Sequence, residues 1–256
     1  RKKNLERAIV LGLILSTGVY GSAWATEVTT GDFKDAANVP IEGISVDGNN
    51  YTISKDIVIN GTSPDSSPHW DWMDGKVINV NDNVNVTFNN LSLTNANIKG
   101  NGNITVNNAN GNYLLNTGGT IQANTLSLST TSNDGIYLYN KDLTLDVEHL
   151  IINCVENGIH HEPETGNGVN ININDTLSVD INSSSSWTLR NDAVKGKGNY
   201  LSICSDREDS IINLMGANGV SLTSNGETKL KADNINIGAW SSYGVFAGSG
   251  GTLDIT

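Results

Sequence analysis

Asn133-Asp134-Gly135-Ile136 is answered by Glu156-Asn157-Gly158-Ile159, and that echo decides the fold. The phrase returns, loosened, as Asn191-Asp192-Ala193-Val194, Ala217-Asn218-Gly219-Val220 and Ser242-Tyr243-Gly244-Val245. Counted at the Gly135, Gly158, Ala193, Gly219 and Gly244 positions, the steps are 23, 35, 26 and 25 residues. A propeller blade needs about 40 to 45 residues. A sandwich offers no reason for one phrase to recur at near-constant spacing. Two dozen residues suit a single triangular coil of three short strands. The long step holds Ser183-Ser184-Ser185-Ser186-Trp187, which reads as a loop inserted into one coil.

Between the markers the side chains alternate with period two, as in a half-buried strand. Thr144-Leu145-Asp146-Val147, Leu177-Ser178-Val179-Asp180-Ile181 and Ile235-Asn236-Ile237 are examples. The earlier part follows the same grammar less regularly, in Ile57-Val58-Ile59, Val84-Asn85-Val86-Thr87-Phe88 and Ile104-Thr105-Val106. Gly and Asn at the breaks tolerate the positive φ that turns the chain. The fold class this predicts is all-β: a single-stranded, right-handed parallel β-helix with about two dozen residues per coil, nine or ten coils in all. Asn makes up roughly one residue in seven. Stacked at equivalent corners, these amides are expected to hydrogen-bond as ladders.

Composition excludes several alternatives. Of 256 residues, 37% are hydrophobic and 16% charged, and β-branched residues recur throughout, so disorder is excluded. The net charge of -12 disfavours nucleic acid, whose phosphates need a positive surface. Cys154 and Cys204 are the only cysteines, too few for a disulfide-stapled domain and in no C-x-x-C pair. With about two coils between them, they are predicted to be free, buried thiols, with no disulfide.

Residues 1–25 read as a signal peptide. Arg1 to Arg7 is basic, Ala8 to Val19 is apolar, and Ala23-Trp24-Ala25 is an A-x-A site with cleavage before Thr26. The apolar run is too short to span a bilayer. Residues 26–40, polar and outside the repeat, are expected to cap the first coil, and residues 41–256 to form the β-helix. The chain stops at Gly251-Thr252-Leu253-Asp254-Ile255-Thr256, which reads as mid-strand and predicts that the natural protein continues.

Three passages carry a family resemblance. Asn218-Gly219-Val220-Ser221-Leu222, Leu230-Lys231-Ala232-Asp233-Asn234-Ile235-Asn236-Ile237 and Tyr243-Gly244-Val245-Phe246-Ala247 resemble passenger domains of autotransporters, in the adhesin-like, self-associating group. The likeness covers most of the chain after about residue 80. It implies a Gram-negative protein exported across the inner membrane, translocated through an outer-membrane β-barrel that follows in the sequence, and displayed at the cell surface or released. Its implied partner is a host or bacterial surface glycan or protein, or another copy of itself.

Few residues suggest chemistry. The motifs of polygalacturonases (Asn-Thr-Asp, Asp-Asp, Gly-His-Gly, Arg-Ile-Lys) are absent, as is a G-x-S-x-G elbow. No catalytic residues, cofactor or metal site are predicted. A secreted β-helical polysaccharide hydrolase or lyase is the alternative function. His160-His161-Glu162 reads as a solvated corner before Pro163, because neighbours on a strand point to opposite faces. The candidate ligand-binding residues are His69, Trp70, Asp71, Trp72 and Asp74, in a loop where exposed aromatics stand beside carboxylates.

Overall fold

A computed structural model describes residues 25–61, 73, 75–108, 113–138, 143–162, 171–173, 176–192, 200–223, 227–248 and 251–256. Within these, the chain is all-β: a strand, one short helix and nineteen further strands, joined into a single sheet. Every strand pairing but one is parallel. The exception is the hairpin of Ile44–Asp47 with Asn50–Ile53. No described helix is long and apolar enough to cross a membrane.

The pairings form three ladders. The first joins Val28, Ile59, Phe88, Val106, Leu128, Ile152, Ile181, Leu214 and Ile237, nine rungs deep. The second joins Tyr51, Ile78, Ile98, Ile121, Leu145, Ile173, Ile203, Leu230 and Ile255, with Ile78–Ile98–Ile121 continuing the rung of Tyr51. The third joins Leu93, Leu115, Ile136, Ile159, Leu189, Val220 and Val245. Long strands such as Tyr113–Thr130, Leu143–Cys154 and Ser178–Asp192 turn from one ladder into the next without a break, so the pairings close on themselves.

Alternation explains the core. In Leu143–Val147, residues 143, 145 and 147 are buried while Asp146 is exposed. Most rungs of all three ladders are fully buried aliphatics. Burying one such side chain is worth about 2 kcal/mol, yet a single row could shield little. The stack supplies the shield, each row covering the one before.

Side-chain ladders run on the outside. Asn85 Nδ2 donates to Asp56 Oδ2 (3.0 Å), Asn103 Nδ2 to Asn85 Oδ1 (3.0 Å), and Asn124 Nδ2 to Asn103 Oδ1 (3.0 Å). Asn213 donates to Asp180 (2.7 Å) and Asn236 to Asn213 (2.8 Å). Burial pushes the Asp180 carboxyl up, against the hydrogen bond from Asn213. Asn83, Asn90 and Asn95 supply turns, with φ of 60°, 55° and 51°.

The register corrects the sequence reading in three places. Ile159 pairs with Leu189 and Leu189 with Val220, so Thr188, not Ala193, stands in the row of Gly158 and Gly219. Along this ladder, from Ile136 to Val245, the steps are 23, 30, 31 and 25 residues. Ser183-Ser184-Ser185-Ser186-Trp187 is no inserted loop: it lies within the strand Ser178–Asp192, where the register shifts between Ser183 and Trp187. Gly135, Gly158 and Gly219 of this row each face a carbonyl oxygen of the next row. A Cβ on Gly158 would lie 2.5 Å from the Thr188 carbonyl oxygen of the next row.

The third correction is at the N-terminal end. Thr26–Thr29, expected outside the repeat, pairs in parallel with Ile57–Asn60. The helix Thr30–Asp35 follows. A capping box starts it: Thr29 Oγ1 accepts from the Asp32 N–H (3.0 Å), and Asp32 Oδ2 accepts from the Thr29 N–H (2.9 Å). Its Phe33 is fully buried and stacks on Tyr51, ring centroids 5.2 Å apart.

Candidate functional site

His69, Trp70, Asp71, Trp72 and Asp74 lie outside the described residues, as does Ala23. Ala25 is partly buried, and Thr26 opens the first strand with its N–H donating to the Asp56 carbonyl (3.1 Å).

The most chemically diverse side chains gather on the strip that flanks the third ladder. Before each row's Gly or Thr188 come Asp134, Asn157, Trp187, Asn218 and Tyr243. After its first apolar residue come Tyr137, His160, Arg190, Ser221 and Phe246. Parallel register stacks each set in a column, one row apart.

The upper part of the strip is a charged cluster around His160. Its Nδ1 is 3.0 Å from Asp134 Oδ2, and its Nε2 is 3.3 Å from Asp192 Oδ2. Glu162 Oε2 lies 3.9 Å from the same Nε2 and accepts from the Tyr137 hydroxyl (3.0 Å). Arg190 pairs with Asp192 at 2.6 Å. The other oxygen of Asp134 takes the Asn157 backbone N–H (2.7 Å) and side-chain amide (2.9 Å). Burial opposes a charge on the His160 ring, but the hydrogen bonds to Asp134 and Asp192 outweigh it, and the pKa rises to about 9. At neutral pH the ring is therefore an imidazolium that donates from both nitrogens.

The reading of His160-His161-Glu162 as a solvated corner is corrected here. His160 and His161 are both buried, 7% and 1% exposed. They do diverge, as alternation requires: His161 Nδ1 is 3.0 Å from Asn191 Oδ1, which belongs to a separate buried network reaching Thr228 Oγ1 (3.2 Å). Polar residues are buried here because their partners stand 26 to 32 residues away in sequence and one row away in space. Among the described residues, no group of three or more His, Cys, Asp or Glu is placed to hold a metal ion.

The lower part of the strip is aromatic. Trp187 and Tyr243 lie two rows apart in one column, rings nearly parallel (9°) with centroids 6.4 Å apart. Phe246 tilts toward both, at 6.1 Å and 5.5 Å.

Both cysteines are free. Cys154 is buried; burial, with the charge of Asp134 nearby, pushes its thiol up to about 12. Its Sγ donates to the Asn182 carbonyl (3.5 Å). Cys204, expected to be buried, is partly exposed, with Sγ 3.0 Å from Ser202 Oγ.

No family model, curated protein or solved structure matches this chain.

Proposed function

We propose that the three ladders wind as a right-handed parallel β-helix, an exported rod that acts in adhesion or self-association, in the manner of an autotransporter passenger. The observation that carries this reading is the nine-rung ladder from Val28 to Ile237 with its exterior of stacked side chains. Nine rungs at one strand spacing give a rod of about 40 Å along its axis. Such a stack presents the same lateral faces row after row, which suits a surface that binds by repetition rather than by a cleft.

Other features favour export. Cleavage at the A-x-A site would put the mature N-terminus at Thr26, the first residue of the strand Thr26–Thr29, and leave that strand whole. The cysteines are unpaired, which leaves a chain easy to thread unfolded through a barrel. In this reading the protein works at the outer membrane or outside a Gram-negative cell, without catalysis or cofactor, on a surface glycan, a surface protein or a copy of itself.

The polysaccharide-cleaving alternative asks for an acid and a base facing each other across a substrate. Of the three carboxylates the strip draws together, Asp134 and Asp192 are instead hydrogen-bonded to the ring of His160, and Glu162 accepts from the Tyr137 hydroxyl. The test is display. Expressed from its full reading frame in a non-adherent laboratory bacterium, the chain should reach the cell surface and make cells settle together or bind cultured host cells. Retention inside the cell, or release with no gain in adhesion or settling, would overturn the reading.

A further inference from the structure

We propose that Asn101, in the corner between the strands Leu93–Gly100 and Asn103–Asn108, is a site of spontaneous deamidation. Among the described residues it is the one Asn-Gly pair that the fold leaves reactive. The reaction needs only water and is independent of what the surface binds.

Asn-Gly occurs seven times in the sequence, and the pairs at Asn60, Asn101, Asn157 and Asn218 lie among the described residues. Glycine is obligatory after each of the four. A Cβ would meet a carbonyl oxygen at 2.4 Å on Gly61, 2.8 Å on Gly102, 2.5 Å on Gly158 and 2.0 Å on Gly219. The fold thus keeps in place the small successor that lets a main-chain nitrogen approach an asparagine side chain. What separates the four is hydrogen bonding. The N–H of Gly61 donates to the Asn89 carbonyl (2.8 Å), that of Gly158 to the Trp187 carbonyl (2.9 Å) and that of Gly219 to the Tyr243 carbonyl (2.9 Å). The asparagines before them are tied as well. Asn60 Oδ1 accepts from Asn89 Nδ2 (3.0 Å), Asn157 Nδ2 donates to Asp134 Oδ1 (2.9 Å), and Asn218 Nδ2 donates to the Ser186 carbonyl (3.4 Å). At Asn101 neither hold is present. Its side chain is exposed, no described group bonds it, and none accepts from the Gly102 N–H.

Both missing holds bear on the chemistry. The Gly102 nitrogen gives its proton to solvent and bonds to Asn101 Cγ. The Cγ–Nδ2 bond breaks, ammonia leaves, and a five-membered succinimide remains. Water then opens the ring at one of its two carbonyls. Opening at Cγ gives aspartate; opening at the main-chain carbonyl gives isoaspartate, whose peptide link runs through the side chain. The balance is one amide and one water in, one carboxylate and one ammonia out. A nitrogen engaged in a row-to-row bond keeps its proton, and a tied side chain keeps its carbon from turning toward it. The three locked pairs react only when the rows open locally. The isoaspartyl product also strains the corner, because its main chain is longer by one carbon. Gly100, with φ of 117°, and Gly102 both press on Val80: a Cβ would lie 2.0 Å from its carbonyl oxygen on Gly100 and 2.3 Å from its Cγ1 on Gly102. No slack is left between them to take up the extra length.

The experiment incubates the full chain, purified and folded, in warm, mildly alkaline buffer, with a second sample in urea. Peptide mapping by mass spectrometry follows aspartate and isoaspartate at residues 60, 101, 157 and 218 over time. In the folded chain Asn101 should convert about tenfold faster than the other three or more, since they wait on local opening. In urea, where every pair is open, the four rates should converge. The rate at Asn101 should rise with pH, because the attacking nitrogen must lose its proton. Asn101→Ser, at an exposed position, should abolish the first acidic species seen by ion exchange. The isoaspartyl fraction should exchange amide hydrogens faster than the untreated chain in Leu93–Gly100 and Asn103–Asn108. Conversion at Asn101 no faster than at the other three in the folded chain would overturn the proposal, and a preference that survives in urea would assign it to neighbouring sequence rather than to the fold. Persistence of the acidic species in Asn101→Ser would place the reaction elsewhere, and unchanged exchange would refute the strained corner.

Discussion

Two stacks of side chains climb this protein by the same geometry and opposite chemistry. One runs from Asp56 through Asn85 and Asn103 to Asn124 on an exposed face. The other gathers Asp134, His160, Asp192 and Arg190 in a mostly buried strip. An amide both donates and accepts, so each Asn passes the same bond to the next and water shares the load. In the charged stack no member can replace another: His160 is held by a carboxylate one row to either side, and Arg190 by Asp192 in its own strand. Repetition makes the first stack redundant; burial makes the second indispensable.

The sharpest break in that contrast is His160→Ala. It leaves the buried Asp134 without a cation and Asp192 with Arg190 alone, and should destabilise the protein by about 4 kcal/mol. Urea unfolding followed by local hydrogen exchange would check this, with the loss concentrated in residues 134–192. Next comes the backbone beneath the cluster. Gly158→Ala drives a Cβ against the Thr188 carbonyl and the Ile181 side chain, neither of which can yield without moving a row, and should cost about 2–3 kcal/mol in the same assay.

Acidity separates the stacks more gently. Folding raises the His160 pKa from an ordinary value of 6.5 to about 9. The cluster's contribution is therefore complete below about pH 6.5, declines between 6.5 and 9, and is gone above it. The melting temperature of the wild type should fall across that window more than that of His160→Ala. Proton NMR of the His160 ring should give the midpoint directly, and a midpoint near 6.5 would refute the cluster as drawn. The smallest effect belongs to the amide stack. Asn103→Ala removes two exposed links and should cost no more than about 1 kcal/mol, with no change in pH dependence.

The two stacks were not equally visible in the sequence. Short alternating strands, turns at Asn and Gly, and an Asn-rich exterior are local patterns, and the parallel ladders contain them. The His160 cluster is not local. Asp134 is 26 and Asp192 32 residues from His160, and a step that stretches from 23 to 30 and 31 residues hides who stands over whom. The missing clue was Thr188. It holds a glycine position by donating its hydroxyl to the Gly219 carbonyl (2.8 Å), so the row lacks the letter that marks its neighbours, and Asn191-Asp192-Ala193-Val194 looked like the marker instead. Without that register, two adjacent histidines before a proline look like a wet corner. The aromatic strip was hidden for the same reason, since Trp187 and Tyr243 become neighbours only after two rows are stacked.

The first ladder has one further consequence. Its successive rungs are separated by as few as 18 residues, between Phe88 and Val106, and as many as 33, between Ile181 and Leu214, while every rung adds the same rise. In the proposed rod, reach and girth are thus set by separate variables. Gaining or losing a whole row changes how far the tip stands from its base, in fixed increments, whereas residues added inside a row only thicken it. A binding feature can be enlarged, grafted or erased at any level of such a ruler without shifting the height of any other mark.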